Sequence, residues 1–434
     1  MTKHMHEIRD PLHVFIRLDS DERKVLNSRP FQRLRHIHQL GLTYLLYPGA
    51  THRRFEHSLG VMELAGRVYD TVTEPSNISH ESVKNVVPTH NSYEHPYWRR
   101  VLRMAALCHD IGHLPFSHSA EDLLPDGWDH ERLTLEIIRN VELESIWKKI
   151  KIQSDDVAKL AVGHKKYKDS DFTDWEAILS EIIVGDAFGV DRMDYLIRDS
   201  HHVGVAYGKF DHYRLIDTLR ILPKEEDGSA EPALGIEKGG LHSAEALVLA
   251  RYFMYTQVYY HHVRRIYDIH LKDFLKKWFP GGYLPIDIEE HLKMTDNEIS
   301  VDLFKAARHE EHPGHDSARR IINREHFKLL YQRNPNDIQK NPEAGKLIFD
   351  AARNKFGEAN VRFDTYKQKG SGLNFPVLID GRIASSLAMS EVLNTVPIVA
   401  VDYVFINPDY REDAEKWLKE EREKIITKKE VEKI

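Results

Sequence analysis

The segment Leu107-Cys108-His109-Asp110-Ile111-Gly112-His113 constrains this chain more than any other. A run at helical spacing (Val101, Leu102, Ala105, Ala106, Leu107) ends there in adjacent His and Asp, followed by Gly. Neighbouring helical residues point about 100° apart, yet at a helix end both side chains can converge on one ion. Imidazole nitrogen beside a hard carboxylate oxygen suits a divalent metal such as Mn, Mg, Fe, Ni or Zn, and the lack of thiolates disfavours a soft site. Cys108 is the one cysteine. No intrachain disulfide or cysteine-based zinc site can be built from it, and a reducing, cytoplasmic compartment is the expected setting.

Two further segments supply partners. Arg54-Phe55-Glu56-His57-Ser58 opens a helical pattern, and Asp191-Arg192-Met193-Asp194-Tyr195 lies in an apolar helical context. Metal ligands at His57, His109, Asp110 and Asp191 would then come from three helices, which is how a bundle builds a metal centre. Of the 27 histidines, 14 fall within the first 130 residues, and His113, His118 and His130-Glu131 crowd the stretch after the His-Asp pair. A phosphate ester resists attack because its oxygens are negative. Hydrolysis needs a cation, an activated water and a proton for the leaving group. Histidine is the natural proton carrier near neutral pH, and Glu131 can orient or polarise His130.

The rest of the chain sets the frame. Its 434 residues are 41% hydrophobic and 30% charged, an ordinary globular composition. The net charge of −7 gives no global electrostatic reason to bind nucleic acid. The N-terminus is polar, without a secretory pattern, and the longest apolar stretches, such as Val396–Ile406, are too short to span a bilayer. Long helices are predicted over Asp21–Gln39, Glu56–Val72, Trp98–Asp110, Ala177–Asp199 and Ser243–Phe279. Pro75–Pro96 reads as an exposed insertion and Lys224–Gly240 as a hairpin or loop. Beyond Gly281–Pro285 the pattern changes: helices over Lys293–Gln339, strands at Asn360–Lys367, Val377–Asp380 and Ile398–Ile406, and a charged helix over 411–431. The expected class is mainly α, a helical bundle over 1–280 carrying an insertion at 75–96, with a smaller α+β C-terminal lobe at 281–434.

The motifs Phe31-Gln-Arg-Leu-Arg-His-Ile-His-Gln-Leu-Gly41, Arg54-Phe-Glu-His-Ser-Leu-Gly-Val61, Cys108-His-Asp-Ile-Gly-His-Leu-Pro-Phe-Ser-His118 and Asp191-Arg-Met-Asp-Tyr195 continuing to Asp199 carry a resemblance. Over roughly residues 8–270 the chain resembles the HD-domain phosphohydrolases, in particular their deoxynucleoside triphosphate triphosphohydrolase branch. The resemblance implies the same four metal ligands. It places His113, His118 and His130, with its carboxylate Glu131, around the α-phosphate, His118 protonating or stabilising the leaving oxygen. It implies Arg54, Arg192 and Arg251 on the triphosphate, and Gln39, Leu40, Tyr195, Asp199 and Tyr259 around the sugar. Gln39 and Asp199 would take the 3′-hydroxyl. Leu40 and Tyr259 would fill the place of a ribose 2′-hydroxyl. Arg251, Tyr255, Tyr259 and His262 fall on one face of a continuous helix, and Tyr255 joins the substrate wall.

The family pattern has Asp where Glu121 stands, so the carboxylate is kept but one methylene longer. Gln32 and Arg35 match part of an allosteric nucleotide site, whereas Asn27 replaces the acid expected to read guanine. Asn cannot accept two donors from a guanine edge as a carboxylate does. The reaction implied is release of the deoxynucleoside and tripolyphosphate by water attack at the α-phosphorus, with a homo-oligomer, dimer or tetramer, as the working assembly. The alternative on the same metal centre is a nuclease, phosphodiesterase or nucleotidase. A nuclease would need a basic stripe interleaved with aromatics, and the sequence offers Tyr and His clusters without the stripe.

Overall fold

The computed structural model describes residues 5–226, 229–368 and 373–427, without the side chains of residues 118, 225, 226, 229, 230 and 280. The fold is mainly α. It forms two compact units, one of residues 1–254, 283–299 and 372–396, the other of residues 255–282, 300–371 and 397–434. The chain therefore passes between units several times, where the sequence suggested a single border near 280.

The first unit is built on the helix Arg54–Val72, whose first turn is fixed by Glu56: the Arg53 backbone N–H donates to its carboxylate at 2.6 Å. Leu59, Val61, Met62, Leu64, Ala65 and Val68 are buried along it. The helices Glu94–Cys108 and Val190–Val203 pack on it, with Ser154–Val162 and Asp174–Val184 behind. The expected hairpin is present and longer than predicted: Leu219–Glu226 pairs antiparallel with Ser229–Glu237, and Pro376–Ile379 and Arg382–Ser385 extend it to four strands. Within 75–96 lie a short helix, Glu81–Lys84, and the buried Val83 and Val87.

Three long helical patterns are broken in the structure. Asp21–Gln39 becomes Ser20–Leu26, Arg29–Arg33 and a 3₁₀ turn Leu34–His36. Pro30 lacks an N–H and is tolerated only in a first turn, so a new helix starts beside it. Ala177–Asp199 splits into Asp174–Val184 and Val190–Val203 around Gly185 and Gly189. Ser243–Phe279 splits into Leu241–Met254, a π-turn Tyr255–Tyr259 and His262–Trp278. In that turn Tyr260 N–H reaches back five residues to Tyr255 C=O at 2.9 Å. The π-turn interrupts the continuous helix, which corrects the single helical face expected for Arg251, Tyr255, Tyr259 and His262.

The second unit holds a three-stranded antiparallel sheet in the order Lys328–Gln332, Ala400–Ile406, Val361–Lys367. Helices Ala344–Phe356 and Arg411–Thr427 cover it over a core that includes Tyr331, Ile348, Val361, Val404, Ile406 and Leu418. Lys328–Gln332 lies where helix was expected, and the predicted strand at Val377–Asp380 joins the first unit's sheet instead. The last residues of the predicted helix 411–431 lie outside the described residues. Among the described residues no helix is long and apolar enough to cross a membrane.

Candidate metal centre and active site

The helices of the first unit deliver four side chains to one point. His57 sits in the first turn of Arg54–Val72, His109 and Asp110 follow the last turn of Glu94–Cys108, and Asp191 lies in the first turn of Val190–Val203. His57 Nε2 is 3.0 Å from Asp191 Oδ1 and 3.7 Å from Asp110 Oδ2, and His109 Nε2 is 3.5 Å from Asp110 Oδ1 and from Asp191 Oδ1. Donor atoms about 2.1 Å from one ion and at right angles to each other stand about 3 Å apart, so these spacings suit a single divalent cation. His109 Nδ1 donates to Ala106 C=O at 2.8 Å, which turns Nε2 toward the cluster; that buried Nε2 has no hydrogen-bond partner. An orphaned imidazole nitrogen among two carboxylates and a second imidazole fits a metal.

A charged network fixes His57 from behind. Its Nδ1 bonds Asp194 Oδ2 at 2.9 Å, the carboxylate–histidine arrangement that orients metal ligands. Asp194 also accepts from Arg198 Nε at 2.7 Å and pairs with His13 Nε2 at 2.8 Å, and Arg198 reaches Asp10 at 2.9 Å. Burial opposes a charge on His57, but Asp191 and Asp194 outweigh it and raise its pKa to about 10. Burial likewise opposes charge on Asp110 and Asp191. Arg54 and the histidines prevail for Asp110, His109 and His57 for Asp191, and both carboxyls are held well below the usual range. The helices approach closely because residue 60 is glycine: a Cβ there would lie 1.9 Å from Asp194 Oδ1.

Beside this cluster stand the expected proton carriers. His113 Nε2 is 3.6 Å from Asp110 Oδ1, and the His113 and His130 rings stack with centroids 4.2 Å apart. His130 Nδ1 lies 2.5 Å from Glu121 Oε1 and 3.3 Å from Glu131 Oε2, so its nearer carboxylate is Glu121 rather than the expected Glu131. Burial lowers the His130 pKa, and the bond to Glu121 more than restores it. The His118 side chain lies outside the described residues.

The other expected substrate residues fall into three groups. Arg54 is buried, ion-paired to Asp110 and bonded through Nε to Ser117 Oγ at 3.1 Å. Gln39 and Leu40 are buried nearby in sequence, Gln39 Oε1 having no hydrogen-bond partner. Asp199 is buried and pairs with His52 Nε2 at 2.7 Å. Arg192 turns onto the carbonyls of Gly185 and Asp186, Arg251 helps hold the Asp186 carboxyl ionised, and Tyr195 is half-buried. Tyr255 and Tyr259 belong to the second unit, where their rings meet edge to face at 5.2 Å.

A cavity of about 690 Å³ opens on His109, Asp110, Asp191, His130 and Glu131. Its lining also includes Lys165, Lys166 and Lys224, which the sequence reading did not single out. Asp194 and Arg198 were also given no role there, although their spacing from Asp191 within one helix is a readable signal.

Residues 54–199 match the HD domain, and residues 210–354 match the HD associated region. The chain is 33% identical over 354 residues to YwfO of Bacillus subtilis, described as uncharacterized, covering 76% of this chain and 72% of that one. It is 29% identical over 391 residues to deoxynucleoside triphosphate triphosphohydrolase SAMHD1 of Gallus gallus, covering 81% of this chain but 60% of that one. A crystal structure of a hypothetical protein from Aquifex aeolicus superposes with a TM-score of 0.77 at 32% identity, covering 96% of this chain and all of that one. The chain spans between about half and three quarters of the length of the curated relatives it first matches. With the HD residues gathered into a cluster that can hold a divalent metal, the chain belongs to the HD-domain phosphohydrolase family.

Proposed function

We propose that the protein hydrolyses deoxynucleoside triphosphates to the deoxynucleoside and tripolyphosphate, by water attack at the α-phosphorus. The observation that carries this reading is that the metal cluster and the His113–His130 stack adjoin one another, with four of these residues lining a nucleotide-sized cavity. Several matched relatives are named deoxynucleoside triphosphate triphosphohydrolases, which supports the same choice.

A divalent ion held by His57, His109, Asp110 and Asp191 would neutralise phosphate oxygens and make a nearby water a better nucleophile. Arg54, already fixed by Asp110 and Ser117, presents a planar cation to the phosphates. Arg192 and Arg251 complete the triphosphate grip. Glu121 raises the His130 pKa against burial, which suits His130, stacked on His113, to pass a proton to the leaving oxygen, with His118 and Glu131 in the same set. The buried Gln39 Oε1 is an acceptor waiting for a donor and, with Asp199, takes the 3′-hydroxyl. Leu40, Tyr195, Tyr255 and Tyr259 are assigned to the remaining sugar and base wall. A homo-oligomer, a cytoplasmic setting and an allosteric nucleotide held through Gln32 and Arg35 belong to the same reading; those two side chains are bonded at 2.9 Å.

The test is incubation with Mn²⁺, Mg²⁺ or Ni²⁺ against the dNTPs, the NTPs and a labelled oligonucleotide, followed by ³¹P NMR. Tripolyphosphate as first product is expected. Pyrophosphate or orthophosphate first would overturn the reading, and oligonucleotide shortening alone would favour the nuclease.

A further inference from the structure

The second unit contains a separate cavity of about 390 Å³, formed by the end of helix His262–Trp278, helix His315–Ile322 and the start of strand Val361–Lys367. Lys276, Lys277, Arg320 and Arg362 line it, against only two carboxylates, Asp273 and Asp316. Both carboxylates are engaged: Asp273 with Arg362 at 3.2 Å, Asp316 with Arg319 at 3.5 Å. Lys276, Lys277 and Arg320 make no ion pair among the described residues. The buried Phe327 ring carries two guanidinium groups, Arg320 at 4.5 Å and Arg362 at 5.4 Å from its centroid. Two like charges over one ring repel each other, and burial with Arg319 and Arg362 nearby already lowers the Arg320 pKa. His270 brings no negative charge to the cavity; burial, then Arg320 and Arg362, push its pKa down to about 2.

We propose that this cavity binds a polyanion carrying two or more phosphates, either free polyphosphate or the phosphate tail of a nucleoside triphosphate. The planar Arg320 fork takes phosphate oxygens bidentately, and the lysines add charge at the mouth. The volume falls in the range of small-ligand sites. The site is separate from the metal cluster and does not depend on the reaction proposed there.

The test compares the full chain with Arg320→Gln by calorimetric titration, in one arm with sodium tripolyphosphate and in the other with a nucleoside triphosphate. EDTA is present in both so that no divalent ion contributes. Arg320→Gln is expected to weaken the affected binding at least ten-fold. Lys276→Ala with Lys277→Ala, at exposed positions where folding is not at risk, is expected to weaken it several-fold, and wild-type affinity should fall as salt rises. Equal affinity in the two arms identifies free polyphosphate, and tighter nucleotide binding identifies a nucleoside contact. Binding unchanged in both variants, or no binding event that salt weakens, would overturn the proposal. A failed dNTPase assay would leave this outcome untouched.

Discussion

Asp194 shows how much of a metal centre is built from residues that never touch the metal. Its two oxygens are shared among His57, His13 and Arg198, and it is 1% exposed. Asp194→Asn would leave Asp10 as the one carboxylate paired with the fully buried Arg198, and would put an NH2, which cannot accept, where one of the two oxygens shared by His57, His13 and Arg198 stands. Removing one partner of a buried pair typically costs about 3–5 kcal/mol, and loss of a ligand's supporting carboxylate lowers metal affinity about 10–100-fold. Thermal melting and metal content by mass spectrometry should both fall. A variant that melts like wild type and retains its metal would remove the network from the argument. The four side chains of the candidate metal cluster could be picked out because adjacent His-Asp at a helix end and two helix-start motifs mark their own positions. The preference of His130 for Glu121 was not. Glu131 is the neighbour in sequence, whereas Glu121 arrives on the 3₁₀ turn Ser117–Leu123, and that folding back leaves no periodic trace.

Elements were legible where apolar spacing and stop signals agreed. Glu56–Val72 and the hairpin near Lys224–Gly240 were read nearly in place, because capping and cross-strand pairing follow local rules. Breaks inside long apolar patterns were missed, since a turn that keeps the same side buried preserves the pattern, as at Gly185 to Gly189 and at the π-turn Tyr255–Tyr259. Contacts between elements depend on residues too small to signal anything. The turn after Asp110 lies against helix His130–Ile138 through Gly112, where a Cβ would meet Thr134 N at 2.3 Å and His130 O at 2.5 Å. Gly112→Ala must push that turn and that helix apart, at a cost of about 1–3 kcal/mol for overpacking. The His113–His130 stack spans the same junction, so kcat should fall about ten-fold or more. Thr134 also donates through Oγ1 to His109 C=O at 3.2 Å, so the shift reaches the candidate metal cluster and metal content should fall as well. Equal kcat in the variant and wild type would show that the stack carries no proton-transfer geometry.

At the scale of the molecule, the large number of histidines becomes a statement about acid stability. Several are buried or half-buried and kept neutral rather than used for chemistry: burial, then Arg33, holds the pKa of His291 far down, and burial, then His52 and His201, lowers that of His202 to about 4. His270 is 1% exposed and pushed down to about 2 by burial, with its Nε2 accepting from Phe327 N–H at 3.2 Å. An unfolded histidine titrates near about 6.5. Below that pH the unfolded chain takes up a proton that the folded one refuses, so stability rises with pH and is lost on acidification from about 6.5 toward 2. Each unit is worth about 1.4 kcal/mol per such group, so His270 alone should cost about 3 kcal/mol by pH 4.5. His270→Gln can still accept the Phe327 N–H but cannot titrate. Urea unfolding at a series of pH values, followed by a probe of the second unit, should show a flatter acid limb for this variant than for wild type. Parallel limbs would mean that His270 is protonated in the folded protein after all, and that the acid sensitivity lies with the ion pairs instead.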